Sequence, residues 1–150
     1  MPLATGTLCG QCLKQPPAFD HTVAAFGYEF PLDSLVQALK YREHLILVNF
    51  LADALAKRIS SRPDCMVAMP LHPDRLRERG FNQSALLAQA IARDDLPVLE
   101  GCLVRQRPTQ VQMTLGHEER KRNVAGAFAC QDDRLRGRKV LLIDDVCTTG

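Results

Sequence analysis

Two short apolar runs constrain this chain more than any other feature. D-C-M-V-A-M-P (residues 64–70) and K-V-L-L-I-D-D (139–145) are continuously apolar rather than alternating, and each is closed by prolines or carboxylates. A strand that buries one face alternates apolar and polar residues, whereas one buried on both faces does not have to. Between the runs, N-Q-S-A-L-L-A-Q-A-I-A-R (82–93) has helical character, with Asn82 or Ser84 placed to cap it. Pro97 to Leu99 offers a further short strand, continuing near Leu103. Strand, helix and strand in alternation predict an α/β fold whose parallel sheet is covered on both faces.

The flanking segments are less regular. Residues 1–18 read as a loop or small appended element, closed by Pro16-Pro17. Residues 21–30, H-T-V-A-A-F-G-Y-E-F, read as a strand. After Pro31, Leu32, Leu35, Val36 and Leu39 repeat at helical spacing, with Asp33 or Ser34 near the start. A second helix is expected from about 43 to 60, with Val48, Leu51, Ala52, Leu55 and Ile59 on one face and Arg62-Pro63 as its stop. L-H-P-D-R-L-R-E-R-G-F (71–81) reads as a polar, arginine-rich turn, and residues 105–122 as polar, basic and irregular. Within the latter, Glu118-Glu119 before Arg120-Lys121-Arg122 leaves room for a helix with local ion pairs.

Composition narrows the functional classes. A chain of 150 residues can bury a real core as one domain, and 46% apolar with 24% charged residues suits a soluble globular protein. A net charge of +2 is too small to argue for nucleic acid or membrane. With aromatic residues at 5% and no Trp, stacking platforms for single-stranded nucleic acid are few. Residues 1–12 lack a secretory signal pattern, and Leu45 to Ala56 is too short to span a bilayer and is broken by Asn49 and Asp53. A cytoplasmic protein without membrane insertion is expected. Cys65, Cys102, Cys130 and Cys147 stand singly among apolar neighbours, which predicts buried thiols rather than disulfides.

The chemistry concentrates at the end of the second run. Ligands of open α/β sheets sit beyond the carboxyl ends of the strands, where Asp144 and Asp145 lie. Paired carboxylates suit hydroxyl groups or a divalent cation. Thr148, Thr149 and Gly150 follow, a small flexible loop able to turn its N–H groups towards a phosphate. Hydroxyls on the carboxylates and phosphate in the loop describe a ribose 5-phosphate. A solvated strand end is the competing reading; a nucleotide hydrolase would need G-x-x-x-x-G-K-[ST], which is missing from this sequence.

V-L-L-I-D-D-V-C-T-T-G resembles the phosphoribosyl pyrophosphate (PRPP) motif of type I phosphoribosyltransferases. R-G-F-N-Q (79–83), R-x-R-x-T-x-x-Q (105–112), R-K-R-N (120–123) and G-A-F (126–128) resemble the ComF/GntX family of competence-associated proteins, with matches spread over residues 9–150. The resemblance implies a phosphoribosyltransferase-like (Rossmann-like) fold over 19–150. It implies that Asp144 and Asp145 hold the ribose 2′ and 3′ hydroxyls and that Val146, Cys147, Thr148, Thr149 and Gly150 cradle the 5-phosphate. Pro70, Leu71 and His72 would form the pyrophosphate loop, and residues 105–122 the hood over the reacting centre. Mg²⁺ would bridge pyrophosphate and ribose. Arg75, Arg77, Arg79, Arg105, Arg107 and Arg120 are the cations available to a departing pyrophosphate.

Several of these residues have plainer readings. Arg75, Arg77 and Arg79 alternate with Leu76 and Glu78 as in a solvated turn, and His72 is better placed to hydrogen-bond the loop backbone than to act as a general base. Asn82 is as well suited to a helix cap as to a ligand. Thr109 and Gln112 enter through the family pattern alone. Cys147 has no paired base and reads as a small filler.

Both ends depart from the family pattern. Relatives begin with a zinc-ribbon-like segment carrying two C-x-x-C pairs, whereas Cys9-Gly10-Gln11-Cys12 is the one pair here, so residues 1–18 read as its remnant. Two thiolates and at most His21 cannot close a tetrahedral zinc site, and folding without metal is expected. After T-T-G the pattern continues with a helix and further strands that this sequence does not contain. As written, the chain is expected to bind PRPP weakly or not at all, to show no turnover and to self-associate. Two functions stand: PRPP-dependent transfer to an unknown acceptor in the use of incoming DNA, or a non-catalytic PRPP- or nucleotide-sensing module that partners DNA-uptake proteins.

Overall fold

The computed structural model describes residues 18–39, 46–60, 62–93, 95–109 and 117–147. Its centre is a parallel pair, β1 (Cys65–Ala68) and β4 (Val140–Ile143), in register Cys65 with Val140 through Ala68 with Ile143. Both ends of the register are pinned. Asp64 donates its N–H to the Lys139 carbonyl at 2.8 Å and accepts the Lys139 N–H on its carboxylate at 2.8 Å. At the other end the Met69 N–H reaches the Ile143 carbonyl at 2.8 Å. On the far flank of β1, Met66 exchanges hydrogen bonds with Pro97 and Leu99, making a parallel bridge to Val98. β1 is therefore interior, and Cys65, Met66 and Val67 are buried as a continuous apolar run requires. β4 departs from the expectation of burial on both faces: Leu141 and Ile143 turn to the core, while Val140 and Leu142 are exposed.

Helices close the core side. α1 (Leu32–Leu39) buries Val36 and Leu39, and α2 (Ile46–Ala56) buries Val48 and Ala52. α4 (Gln83–Ile91) packs against both α2 and the parallel pair through Leu87, Ala88 and Ile91. Each fully buried leucine or isoleucine side chain stabilises the fold by about 1.5–3 kcal/mol. α2 ends at Ala56, short of Pro63. A tightened turn follows, with Arg58 N–H on Leu55 and Ile59 N–H on Ala56, which returns Ile59 to the core. The antiparallel hairpin β2 (Leu103–Arg105) and β3 (Phe128–Cys130) stands apart from the parallel pair, and α5 (His117–Val124) lies between its strands in sequence.

Further expectations are corrected. Residues 21–30 form bends, not a strand: Glu29 N–H turns back onto the Gly27 carbonyl at 3.0 Å, and Phe26 stacks on Phe50 of α2 with centroids 5.8 Å apart. Leu103 continues into a different, antiparallel sheet rather than the parallel one. The arginine-rich segment is largely helical: α3 spans Pro73–Arg79. His72 caps it, its Nδ1 accepting the Asp74 N–H at 3.3 Å, and Pro73 occupies the first turn, where no donor is needed. Gly80, at φ 76°, closes it by donating to the Leu76 carbonyl at 2.7 Å, a left-handed cap that a β-carbon would strain. Of the four single cysteines, Cys65 and Cys102 are buried as expected, whereas Cys130 and Cys147 are exposed. Among the described residues, no helix is long and apolar enough to cross a membrane.

Candidate functional site

The carboxyl ends of β1 and β4 meet the N-terminus of α4. Asn82 is the cap: its Oδ1 accepts the Ser84 N–H at 3.0 Å, and its Nδ2 donates to the Met69 carbonyl just past β1 at 3.0 Å. Ser84, buried one residue into the helix, donates its hydroxyl to Asp144 Oδ1 at 3.0 Å. The same oxygen accepts the Asp145 N–H at 2.8 Å. One carboxylate oxygen of Asp144 is thus committed to the protein, while the residue keeps an exposed flank.

Its electrostatics are unusual for a strand end. Burial, followed by the adjacent charge of Asp145, pushes Asp144 from its usual 3.8 up to about 6, against the pull of the Asp145 N–H and Ser84 hydrogen bonds. Arg105, at the end of β2, lies within electrostatic reach of Asp144. Burial lowers its pKa, and the charge of Asp144 is the influence that counters this, while Arg107 and Arg75 repel it. That attraction matters more to Arg105 than to Asp144, where burial and Asp145 dominate. Arg105 lies over the Phe128 ring at 5.4 Å, bonds Thr109 Oγ1 through Nη2, and leaves its buried Nε–H without a partner.

The structure sorts the remaining candidates. Arg75 pairs with Glu78 at 2.9 Å and lies within electrostatic reach of Arg105. Arg77 pairs with Asp74 in solvent. Arg79 turns to the buried Gln83, donating to its Oε1 at 3.3 Å. Arg107 spends its Nη2 on the carbonyls of Asn123 and Ala125, at 2.8 and 2.9 Å, closing the end of α5. Pro70 and Leu71 lead half-buried from β1 to the His72 cap, and Val146 and Cys147 follow the acidic pair. Cys9, Cys12, Gln112, Thr148, Thr149, Gly150 and the side chain of Arg120 lie outside the described residues.

Two residues escaped the sequence reading. Ser84 stood there only as an alternative cap, and Gln83 only as part of a motif. The Ser84–Asp144 bond joins residues 60 positions apart, so no local pattern announces it. Among the described residues, no three His, Cys, Asp or Glu side chains converge in a way that could hold a metal ion. The acceptor-only pair Asp144 and Asp145 suits hydroxyl groups or a divalent cation.

Fold and site together define an α/β protein with an acidic pair at a parallel strand end and the Arg105 guanidinium within electrostatic reach of Asp144. Competence protein F of Haemophilus influenzae is 35% identical over 153 residues, covering 95% of this chain and 67% of that protein. DNA utilization protein YhgH of Escherichia coli K12 is 35% identical over 156 residues, covering 95% and 66%. Competence protein ComFC of Streptococcus pneumoniae is 28% identical over 148 residues, covering 96% and 64%. The chain belongs to the ComF family. It spans about two thirds of the length of these relatives. No family model and no solved structure matches it.

Proposed function

We propose that the parallel pair belongs to a phosphoribosyltransferase-like fold and that the site takes PRPP. Asp144 and Asp145 would accept hydrogen bonds from the ribose hydroxyls, and residues 146–150 would follow the 5-phosphate. Arg105, with Arg75 beyond it, would face the pyrophosphate. The carrying observation is the adjacent pair Asp144 and Asp145 at the end of a parallel strand, Asp144 held there by Ser84, with the partly desolvated cation of Arg105 within electrostatic reach of Asp144. In transfer, the bond from the anomeric carbon to pyrophosphate breaks as a bond to the acceptor forms, and charge grows on the departing oxygens. A preorganised guanidinium is worth most at that point. The names of the relatives support a role in competence and DNA utilization; we assign that role to the cytoplasm, alongside DNA-uptake proteins.

Calorimetric titration with PRPP and Mg²⁺, on a parent chain extended to the length of the relatives, tests this reading. The Asp144→Asn, Asp145→Asn double variant keeps the shape and removes the charge, and should lose about 2–4 kcal/mol of binding, the scale of two charge-assisted hydrogen bonds. Equal affinity in the variant, or no binding by the parent, overturns the assignment.

A further inference from the structure

The hydrogen bonds between α4 and the strand ends run in one connected order. The Met69 carbonyl holds Asn82 Nδ2, Asn82 Oδ1 holds the Ser84 N–H, and the Ser84 hydroxyl holds Asp144 Oδ1. Ser84 is 4% exposed, so its donor has no water to serve in place of the carboxylate. Asn82 fixes the first turn of α4 to the end of β1, and Ser84 transfers that fixed position to the end of β4. Asp145 N–H on the same Oδ1 fixes the oxygen from its own chain side, while Ser84 fixes it from the helix side. A carboxylate held by two donors on one oxygen presents the other oxygen in one orientation.

We propose that Ser84 is a positioning residue: the Asn82–Ser84 relay sets the side-chain rotamer of Asp144 and leaves Oδ2 as the ligand-facing acceptor. This deepens the phosphoribosyl reading, since it rests on Asp144 being a contact residue, but its first consequence needs no ligand. A cap alone would be satisfied by Asn82, and Ser84 would then serve only as a small helix residue.

Three-bond couplings that report χ1 of Asp144, measured by NMR in the unliganded protein, test the relay. The parent should show the values of a single rotamer, Ser84→Ala averaged values, and Ser84→Thr, which keeps the hydroxyl, values like the parent. Should Ser84→Ala prove too unstable to measure, Ser84→Cys keeps the volume with a weak donor and should also average. Unchanged couplings in the variant that lacks the hydroxyl overturn the proposal, as does averaging in Ser84→Thr. With PRPP and Mg²⁺, Ser84→Ala should weaken binding about tenfold in the parent background, the scale of one hydrogen bond to a charged group, and not at all beside Asp144→Ala, which leaves the Ser84 hydroxyl no side chain at 144 to position. Equal weakening in both backgrounds shows that Ser84 acts on the fold and overturns the relay. If the parent itself binds no PRPP, the phosphoribosyl reading fails while the couplings still decide the role of Ser84.

Discussion

Asp144→Asn should stabilise the fold at neutral pH. Between its usual 3.8 and about 6, the folded carboxyl keeps a proton that the unfolded chain has already released. The folded state binds more protons across that window, so this group's contribution to stability falls as pH rises through it. A displacement of about two pH units corresponds to just under ~3 kcal/mol at most. The exposed flank of Asp144 lets solvent screen the charge, so about half that, ~1–1.5 kcal/mol, is expected at pH above 6. Asparagine carries no charge to desolvate, and its Oδ1 still accepts from Ser84. Urea unfolding of parent and variant in parallel should show the variant more stable by that amount at about pH 7.5, with the melting temperature raised by roughly 2–5 °C. The gap should close as pH falls towards 4. A gap that stays constant with pH, or a variant less stable at neutral pH, refutes the account of Asp144 as a desolvated charge beside another carboxylate.

Other substitutions test the frame around the site. Met66→Ala empties the centre of β1, which is fully buried between its strand neighbours and α4, and should cost about 2–5 kcal/mol in chemical denaturation. Asn82→Ala removes the α4 cap and orphans the Met69 carbonyl, so a loss of about 1–2 kcal/mol is expected; a loss below about 0.3 kcal/mol would show the cap to be dispensable. Arg107→Ala frees the carbonyls of Asn123 and Ala125, and hydrogen exchange in α5 should quicken several-fold while β1 and β4 exchange as before.

The parts of this fold written in short-range pattern were legible. The two apolar runs became β1 and β4, and the 3.6-residue spacings became α1, α2 and α4. Asn82 was readable as a cap because the residue type and its place before the helix both say so. The acidic strand end was readable because carboxylates cannot continue a buried strand. What escaped was set by tertiary context. The alternation at 21–30 looked like a strand, but among the described residues no strand pairs with it, and the chain bends at Ala25, Phe26 and Tyr28. The exposure of Val140 and Leu142 depends on what lies over the sheet, which a strand's own composition does not encode. The bond from Ser84 to Asp144, and the burial that moves the Asp144 pKa, exist only once α4 is laid across the strand ends.

The arginine segment shows why such a miss changes function and not merely geometry. In an extended turn Arg75, Arg77 and Arg79 would point the same way, two residues apart, and would make one undifferentiated cationic patch. In a helix, positions four apart share a face and the one between lies on the far side. The His72 cap, Pro73 and the left-handed Gly80 choose the helix, and the three cations separate. Arg77 is left in solvent on Asp74, and Arg79 is drawn against the buried amide of Gln83. Arg75 alone of the three bears on Arg105 strongly enough to oppose its charge. Arg75, though paired with Glu78, still repels Arg105 beside the acidic pair, and an anion entering near Arg105 would relieve that repulsion. The helix therefore selects which arginine serves the site, and a substitution at Arg75 should be felt there when one at Arg77 is not.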